Sequence, residues 1–257
     1  MKTAALLPTP GDPFVCRYWA RNYDRVWRGE VDELHVCLNG PDTSEAESAL
    51  RDVGALIWKH SDRIGHGRAL NHLVEGIDAD VVVLVEDDAY VREPGAIREH
   101  LARAAAGEVI GSPRGGMHAR LEQAALDKWG PIIGPDTSEG HGLWPCFLFA
   151  RTEALRATTM DFGARWWQPG ETVPGLGYKV NGTAVDTDTN TAVAFQLRDR
   201  GPISLVGQWK ELWQKTLPET GAPWFHAGGL SNLDHPIPPG KAGSLEGKDY
   251  AHRLWWW

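Results

Sequence analysis

Three carboxylates in a row, Glu86-Asp87-Asp88, follow directly on the apolar run Val81-Val82-Val83-Leu84-Val85. Carboxylates crowded at one point repel each other unless a cation joins them, and hard oxygen donors suit Mg2+ or Mn2+. Side chains alternate along an extended segment, which predicts Glu86 and Asp88 on one side and Asp87 on the other. The plainer alternative is a solvated acidic turn after a core strand. A second pair of acids, Asp186 and Asp188, stands at the start of a stretch with helical character, Thr187 to Arg200. A carboxylate placed there can take a proton from a hydroxyl nucleophile as general base, or it can simply cap the helix. Arg63 and Arg68 flank Gly65 and Gly67. Guanidinium groups bind phosphate through charge-assisted hydrogen bonds, although a lone surface Arg is more often only solvated. The glycines would allow close backbone approach to a ligand, or form an ordinary turn. His226, followed closely by Gly228-Gly229, is either a metal ligand or a structural histidine. Trp144, Trp166 and Trp167 would serve as a stacking wall for a ring-shaped ligand, or as core.

These residues need a frame. A short, branched apolar run such as Val81–Val85 reads as a strand buried on both faces, as in a parallel sheet. In open α/β sheets the carboxyl ends of the strands open onto the ligand crevice, which is where the acids fall. Strands are predicted at Lys2–Pro8, Glu33–Leu38, Ala55–Trp58, Trp144–Ala150 and Ile203–Val206. Helices are predicted at Phe14–Trp27, Ser44–Val53 (capped by Thr43 or Ser44), Gly67–Gly76, Pro94–Ala106, from Arg151 and over Thr187–Arg200. Residues 107–142 read as loops around one short helix, Leu121–Trp129. Asp161 to Thr183, rich in Gly, Pro and aromatics, reads as a long functional loop. The β-α-β-α-β-α-β alternation of the first third implies a parallel, doubly wound sheet.

In order along the chain, these segments resemble the family-2 glycosyltransferases of the GT-A fold. The matching features are the opening strand with Pro8-Thr9, Arg63-Ile64-Gly65-His66-Gly67-Arg68-Ala69-Leu70-Asn71 with its strand and Glu86-Asp87-Asp88, and Trp144-Pro145-Cys146-Phe147-Leu148-Phe149-Ala150-Arg151. Ala184-Val185-Asp186-Thr187-Asp188-Thr189 and Phe225-His226-Ala227-Gly228-Gly229 complete the set. The resemblance covers residues 1–232. It implies a three-layer α/β/α sandwich with a mostly parallel central sheet, which binds a nucleotide-diphosphate sugar, of uridine, with Mn2+ or Mg2+. It places Asp88, Glu86 and His226 at the metal, and Asp188, with Asp186 second, as the base of an inverting transfer. Donor contacts are implied for Pro8, Thr9, Arg63, Gly67, Arg68, Asn71 and Asp87. Where the family carries an acid after the second strand, this chain has Asn39, with Asp42 nearby. Its metal motif begins with Glu86 instead of Asp. Trp144, Trp166 and Trp167 fall on the acceptor side.

Composition narrows the remainder. The 257 residues, 42% hydrophobic and 23% charged, suit one globular domain, read as a donor half (1–110), an acceptor half (111–232) and a tail (233–257). The net charge of −8 disfavours broad nucleic-acid binding. No stretch is long and apolar enough to span a membrane. The N-terminus has too short an apolar core for a signal peptide. Cys16, Cys37 and Cys146 are too few for a disulfide framework, which suits the cytoplasm. There are 13 Trp, and the terminal Trp255-Trp256-Trp257 would dock on the body, mediate self-association or touch a lipid surface, with docking or a partner favoured. The acceptor stays open among a saccharide, a lipid carrier, a protein and a hydroxymethylated base in phage-type DNA. A nucleotidyltransferase would carry a Lys in the loop after the first strand, and Pro8-Thr9-Pro10-Gly11-Asp12 has none. A non-catalytic sugar- or nucleotide-binding module is the third reading.

Overall fold

A computed structural model describes residues 1–114, 118–130, 132–133, 139–140, 142–201, 203–206 and 223–226. Strand β1 (Thr3–Thr9) leads to α1 (Pro13–Asn22), β2 (Glu33–Asn39), α2 (Ser44–Arg51), β3 (Leu56–His60), α3 (His66–Gly76) and β4 (Val81–Val85). There follow β5 (Ala89–Val91), α4 (Ala96–Ala105), β6 (Val109–Arg114), α5 (Ala119–Trp129), and the short β7 (Ile132–Ile133) and β8 (Glu139–Gly140). The second half adds β9 (Gly142–Arg151), α6 (Thr152–Arg156), β10 (Arg165–Trp167), β11 (Thr172–Val173), β12 (Tyr178–Lys179) and β13 (Val185–Thr187). The described residues end with α7 (Thr191–Arg198), β14 (Ile203–Leu205) and β15 (Trp224–His226).

The central sheet has seven strands in the order β14-β6-β9-β4-β1-β2-β3. β3, β2, β1 and β4 run parallel, β14 runs parallel to β6, and β9 alone is reversed against both its neighbours. Along β4 every residue is buried, and the alternation of the strand sorts them. Val81, Val83 and Val85 join α1, α2 and α4 on one face. Val82 and Leu84 join α3, α6 and α7 on the other. Each fully buried Val or Leu is worth roughly 1.5–3 kcal/mol, so the strand that carries the acids is held from both faces. The result is a three-layer α/β/α architecture with a mostly parallel sheet. A satellite core of Leu121, Trp167, Val173, Leu176, Val185 and Phe195 packs α5 and the β10–β13 region onto α7.

Several local readings change. The helix expected over Phe14–Trp27 is capped by Asp12, which accepts from the Phe14 and Val15 amides, and starts at Pro13. After Asn22 it widens into a π-turn, Tyr23–Trp27. That turn interlocks Trp19, Tyr23 and Trp27, whose rings lie 5.1–5.6 Å apart. β6 was hidden in sequence by its Gly and Pro. Gly111 sits where β6 shifts register against β9, and a Cβ there would meet the Phe147 carbonyl oxygen at 3.1 Å. The span 161–183 is not a bare loop: it holds β10 and the β11–β12 hairpin. Thr43 sits at the cap position of α2 without a side-chain bond to the helix. The three cysteines are buried free thiols. No helix among the described residues is long and apolar enough to cross a membrane. The C-terminal Trp cluster, and with it any self-association through it, lies outside the described residues.

Candidate active site

The acids sit at the carboxyl end of β4, but not in extended chain. Ala89 N–H donates to the Glu86 carbonyl at 3.1 Å, closing a tight turn over Glu86–Ala89. The alternation expected from a continuing strand therefore does not set their directions; the turn and its neighbours do. Asp87 and Asp88 are both 4% exposed. Asp87 is directed inward, where the Thr9 hydroxyl donates to its Oδ2 at 2.6 Å. Burial, and then the charge of Asp88, push the Asp87 carboxyl well above the usual carboxylate range, while the Thr9 bond works against them. Pro8 and Thr9 are buried at the end of β1, so Thr9 acts on the acid turn from beneath.

Segments from β9, α3 and β15 close on this turn. The Glu86 N–H reaches the Cys146 carbonyl of β9 at 3.4 Å. His66, the first residue of α3, places Nδ1 3.7 Å from Glu86 Oε1. β15 pairs with β5 so that the backbone of His226 lies opposite Ala89. Two residues earlier, Trp224 is fully buried and its indole N–H donates to Ser112 Oγ at 2.9 Å. This anchor holds the β15 backbone, at His226, against the strand that follows the acid turn. Asn39, at the end of β2, accepts from the Ile64 amide at 2.6 Å. Its side chain thus fixes the loop that carries the exposed Arg63. Arg68 is exposed on α3, and Asp42 is exposed in the turn after β2.

The corner that follows the second acid pair is tied to α3 and β9 through the 162–163 segment and Leu143. Gly67 is buried against the 162–163 segment: a Cβ there would lie 2.3 Å from Gly163 Cα. Its small size serves this chain-to-chain contact, whereas Gly65, with φ +81°, starts α3 with open space around it. Asn71 Oδ1 accepts from the Phe162 amide at 3.4 Å. Asn190 N–H donates to the Phe162 carbonyl at 2.9 Å, and its Nδ2 to the Leu143 carbonyl at 2.9 Å. The helix expected from Thr187 instead begins at Thr191. Val185–Thr187 is strand, and Asn190 at φ +68° makes the corner between them. Asp186 and Asp188 are both exposed, and Asp188 Oδ1 accepts from the Thr189 amide at 2.7 Å. Asp188 is thus not a helix cap.

The three Trp separate. Trp166 is 64% exposed, Trp167 only 4%. Trp167 donates to Thr187 Oγ1 at 2.9 Å and lies under the Arg165 guanidinium at 3.9 Å, so it is core and not part of a stacking wall. Trp144 contributes its backbone to β9, opposite Ser112. His66 and Asn190 were not singled out in sequence, although a His at a glycine-flanked helix start and an Asn before a helix are both readable signals.

Among the described residues no three His, Cys, Asp or Glu side chains form a closed metal cage. The donors present nevertheless fit a hard divalent ion: Mg2+-type sites are held by one or two carboxylates, completed by water and substrate phosphate. Glu86 and Asp88 are the carboxylates that would supply such oxygens, beside the crowded Asp87.

Fold and acid turn together define an α/β domain with its candidate site at the carboxyl ends of β1, β2 and β4. No family model matches the chain, and no curated protein matches it. Solved structures do. Glucosyl-3-phosphoglycerate synthase from Mycobacterium tuberculosis in complex with uridine-diphosphate is 18% identical, with a TM-score of 0.48 over 80% of this chain and 69% of that one. The same synthase in complex with Mn2+, uridine-diphosphate and phosphoglyceric acid is 21% identical, with a TM-score of 0.44 over 61% of this chain and 58% of that one. Mannosyltransferase PcManGT from Pyrobaculum calidifontis in complex with GDP-Man and Mn2+ is 18% identical, with a TM-score of 0.43 over 63% of this chain. This chain spans 48% of that mannosyltransferase's length.

Proposed function

We propose that the protein is a GT-A-type glycosyltransferase that moves a sugar from a nucleoside-diphosphate donor, of uridine, to an acceptor hydroxyl with inversion. The observation that carries this reading is the turn Glu86-Asp87-Asp88 at the end of a fully buried central strand, gripped from β1 by Thr9 and faced by His66. A divalent cation held by Glu86, Asp88 and His226 would supply Lewis-acid neutralisation of the charge on the departing diphosphate.

The chain's own residues do the rest. The ends of β1 and β2 receive the nucleoside. Asn39 and Asn71 hold the loops that form its walls, and Arg63 and Arg68, both exposed, are available to the phosphates. Asp188, exposed on the corner that Asn190 fixes, takes the proton from the acceptor hydroxyl as its oxygen attacks the anomeric carbon and the bond to the diphosphate breaks. Asp186 lines the same approach. The domain is read as one unit with a donor half and an acceptor half.

Thermal-shift screening of UDP-sugars and GDP-mannose, each with and without Mn2+, tests the reading, because a ligand that binds only the folded form raises the melting temperature. A Mn2+-dependent rise with a UDP-sugar, lost in Asp88→Asn, is the expected result. Equal melting with every nucleotide sugar and metal would refute it.

A further inference from the structure

We propose that the acceptor is a neutral saccharide, stacked on Trp166 and hydrogen-bonded by Asp186. The proposal deepens the glycosyltransferase reading and rests on it for the saccharide's role as acceptor. It begins with a two-stranded ribbon, β10 against β13, in which Trp166 stands directly opposite Asp186. Directly opposed residues on antiparallel strands project from the same face, with Cβ atoms about 4.5–5.5 Å apart. The other face is closed: Trp167, Val185 and Thr187 are buried in the satellite core, tied by the Trp167–Thr187 bond. The open face therefore presents an indole and a carboxylate side by side, two residues before the candidate base Asp188.

Trp166, at 64% exposed, is the most exposed aromatic side chain among the described residues. An indole left in water, on a ribbon whose twin Trp167 is fully packed, is a surface suited to a ligand. Its flat apolar face matches the C–H face of a pyranose ring. The adjacent carboxylate can accept two hydroxyl hydrogen bonds from the ring's rim. Charge disfavours the anionic alternatives. Asp186 and Asp188 are exposed here, whereas Asp161 and Glu171 are paired with Arg165, which shares the other face with Trp167. The ribbon's one cation, Arg165, is committed: it bonds Glu171 at 2.6 Å and stacks on Trp167 at 3.9 Å. A phosphorylated acceptor or a nucleic-acid strand would meet an excess of like charge at Asp186 and Asp188, offset only in part by Arg120 on the Thr183 and Ala184 carbonyls, whereas an uncharged sugar would not.

Saturation-transfer NMR on the full chain tests this without turnover. The probes are the neutral disaccharides maltose, cellobiose and chitobiose, with 3-phosphoglycerate and a hydroxymethylcytosine oligonucleotide as anionic competitors. Saturation of ring C–H protons is expected with a neutral disaccharide. Trp166→Ala should weaken binding at least tenfold while melting with the wild type, Trp166→Phe should restore part of it, and Asp186→Asn should weaken it. The proposal falls if no disaccharide binds, if Trp166→Ala binds as well as wild type, or if an anionic probe binds more tightly through Trp166. Failure of the donor reading shows separately, as the absence of any thermal shift with nucleotide sugar and Mn2+ in the wild type.

Discussion

The Thr9 hydroxyl and the Asp87 carboxylate, 78 residues apart in sequence, meet at 2.6 Å at the carboxyl edge of the sheet, and both are buried. Because β1 and β4 are parallel neighbours, their ends are adjacent, and the bond joins the end of β1 to the acid turn. The nearby Cys16 thiol, whose ionisation burial suppresses, lies 3.5 Å from the same hydroxyl. This polar knot is shut off from solvent. Its role is to hold the turn in place beneath Asp88.

Removing the hydroxyl should therefore cost both stability and metal affinity. Thr9→Val keeps shape but leaves the Asp87 carboxyl without its donor, a loss of about 1–3 kcal/mol. Urea midpoints measure the first effect, and Mn2+ titration followed by melting temperature measures the second. Thr9→Ser, which retains the hydroxyl, should recover most of both.

Asp188→Asn removes the group assigned to take the acceptor proton while keeping its size. The turnover number should fall by about 10²–10⁴-fold, with the dissociation constant for the nucleotide sugar nearly unchanged. Single-turnover kinetics beside calorimetric donor titration separate the two. A variant that turns over normally would remove Asp188 from the mechanism, and Asp186→Asn is then the next to measure.

Asn190 makes a corner that most side chains resist. It is fully buried at φ +68°, donates through Nδ2 to Leu143, and donates its amide to Phe162. Asn190→Ala should lose the Leu143 bond and pay for the left-handed backbone as well, together about 2–3 kcal/mol. Asn190→Gly relieves only the backbone part and should be less destabilised. Denaturant curves of the pair give the split.

His100 offers a pH test away from the site. It is 5% exposed, bonds the Ala96 carbonyl through Nδ1 at 2.7 Å and lies among the Phe149 and Trp224 rings. Burial holds it below its ordinary value of 6.5, with Arg103 pushing the same way and the Ala96 bond, Glu99 and Glu108 opposing. A depressed histidine favours the neutral form in the fold. Its contribution is therefore complete above pH 6.5 and is lost as the pH falls toward its folded value. Urea midpoints taken from pH 7.5 down to 5 should decline in the wild type, and His100→Gln should flatten that slope.

Much of the architecture could be read from local pattern. The Val81–Val85 run announced a strand buried on both faces, and β1, β2 and α3 lay within a residue or two of their expected limits, because burial periodicity and turn residues are local properties. β6 escaped, since Gly111 and Pro113 look like loop until a neighbouring strand supplies the pairing. The helix start near Thr187 was misplaced for a related reason. Nothing in Asp-Thr-Asp-Thr-Asn tells strand from helix until Trp167 and Val185 pack together and Asn190 is bonded to Leu143 and Phe162.

The sequence by itself determined that three carboxylates end an inner strand and that two more precede a helix, since residue type and polarity pattern are written in the chain. Only the tertiary structure decided that Asp87 is buried against Thr9, that His66 faces Glu86, and that Trp167 is core while Trp166 is open. Each of these depends on contacts between segments tens of residues apart. Hydrogen bonds and packing across such distances are set by which strands become neighbours, and strand order is a property of the assembled sheet.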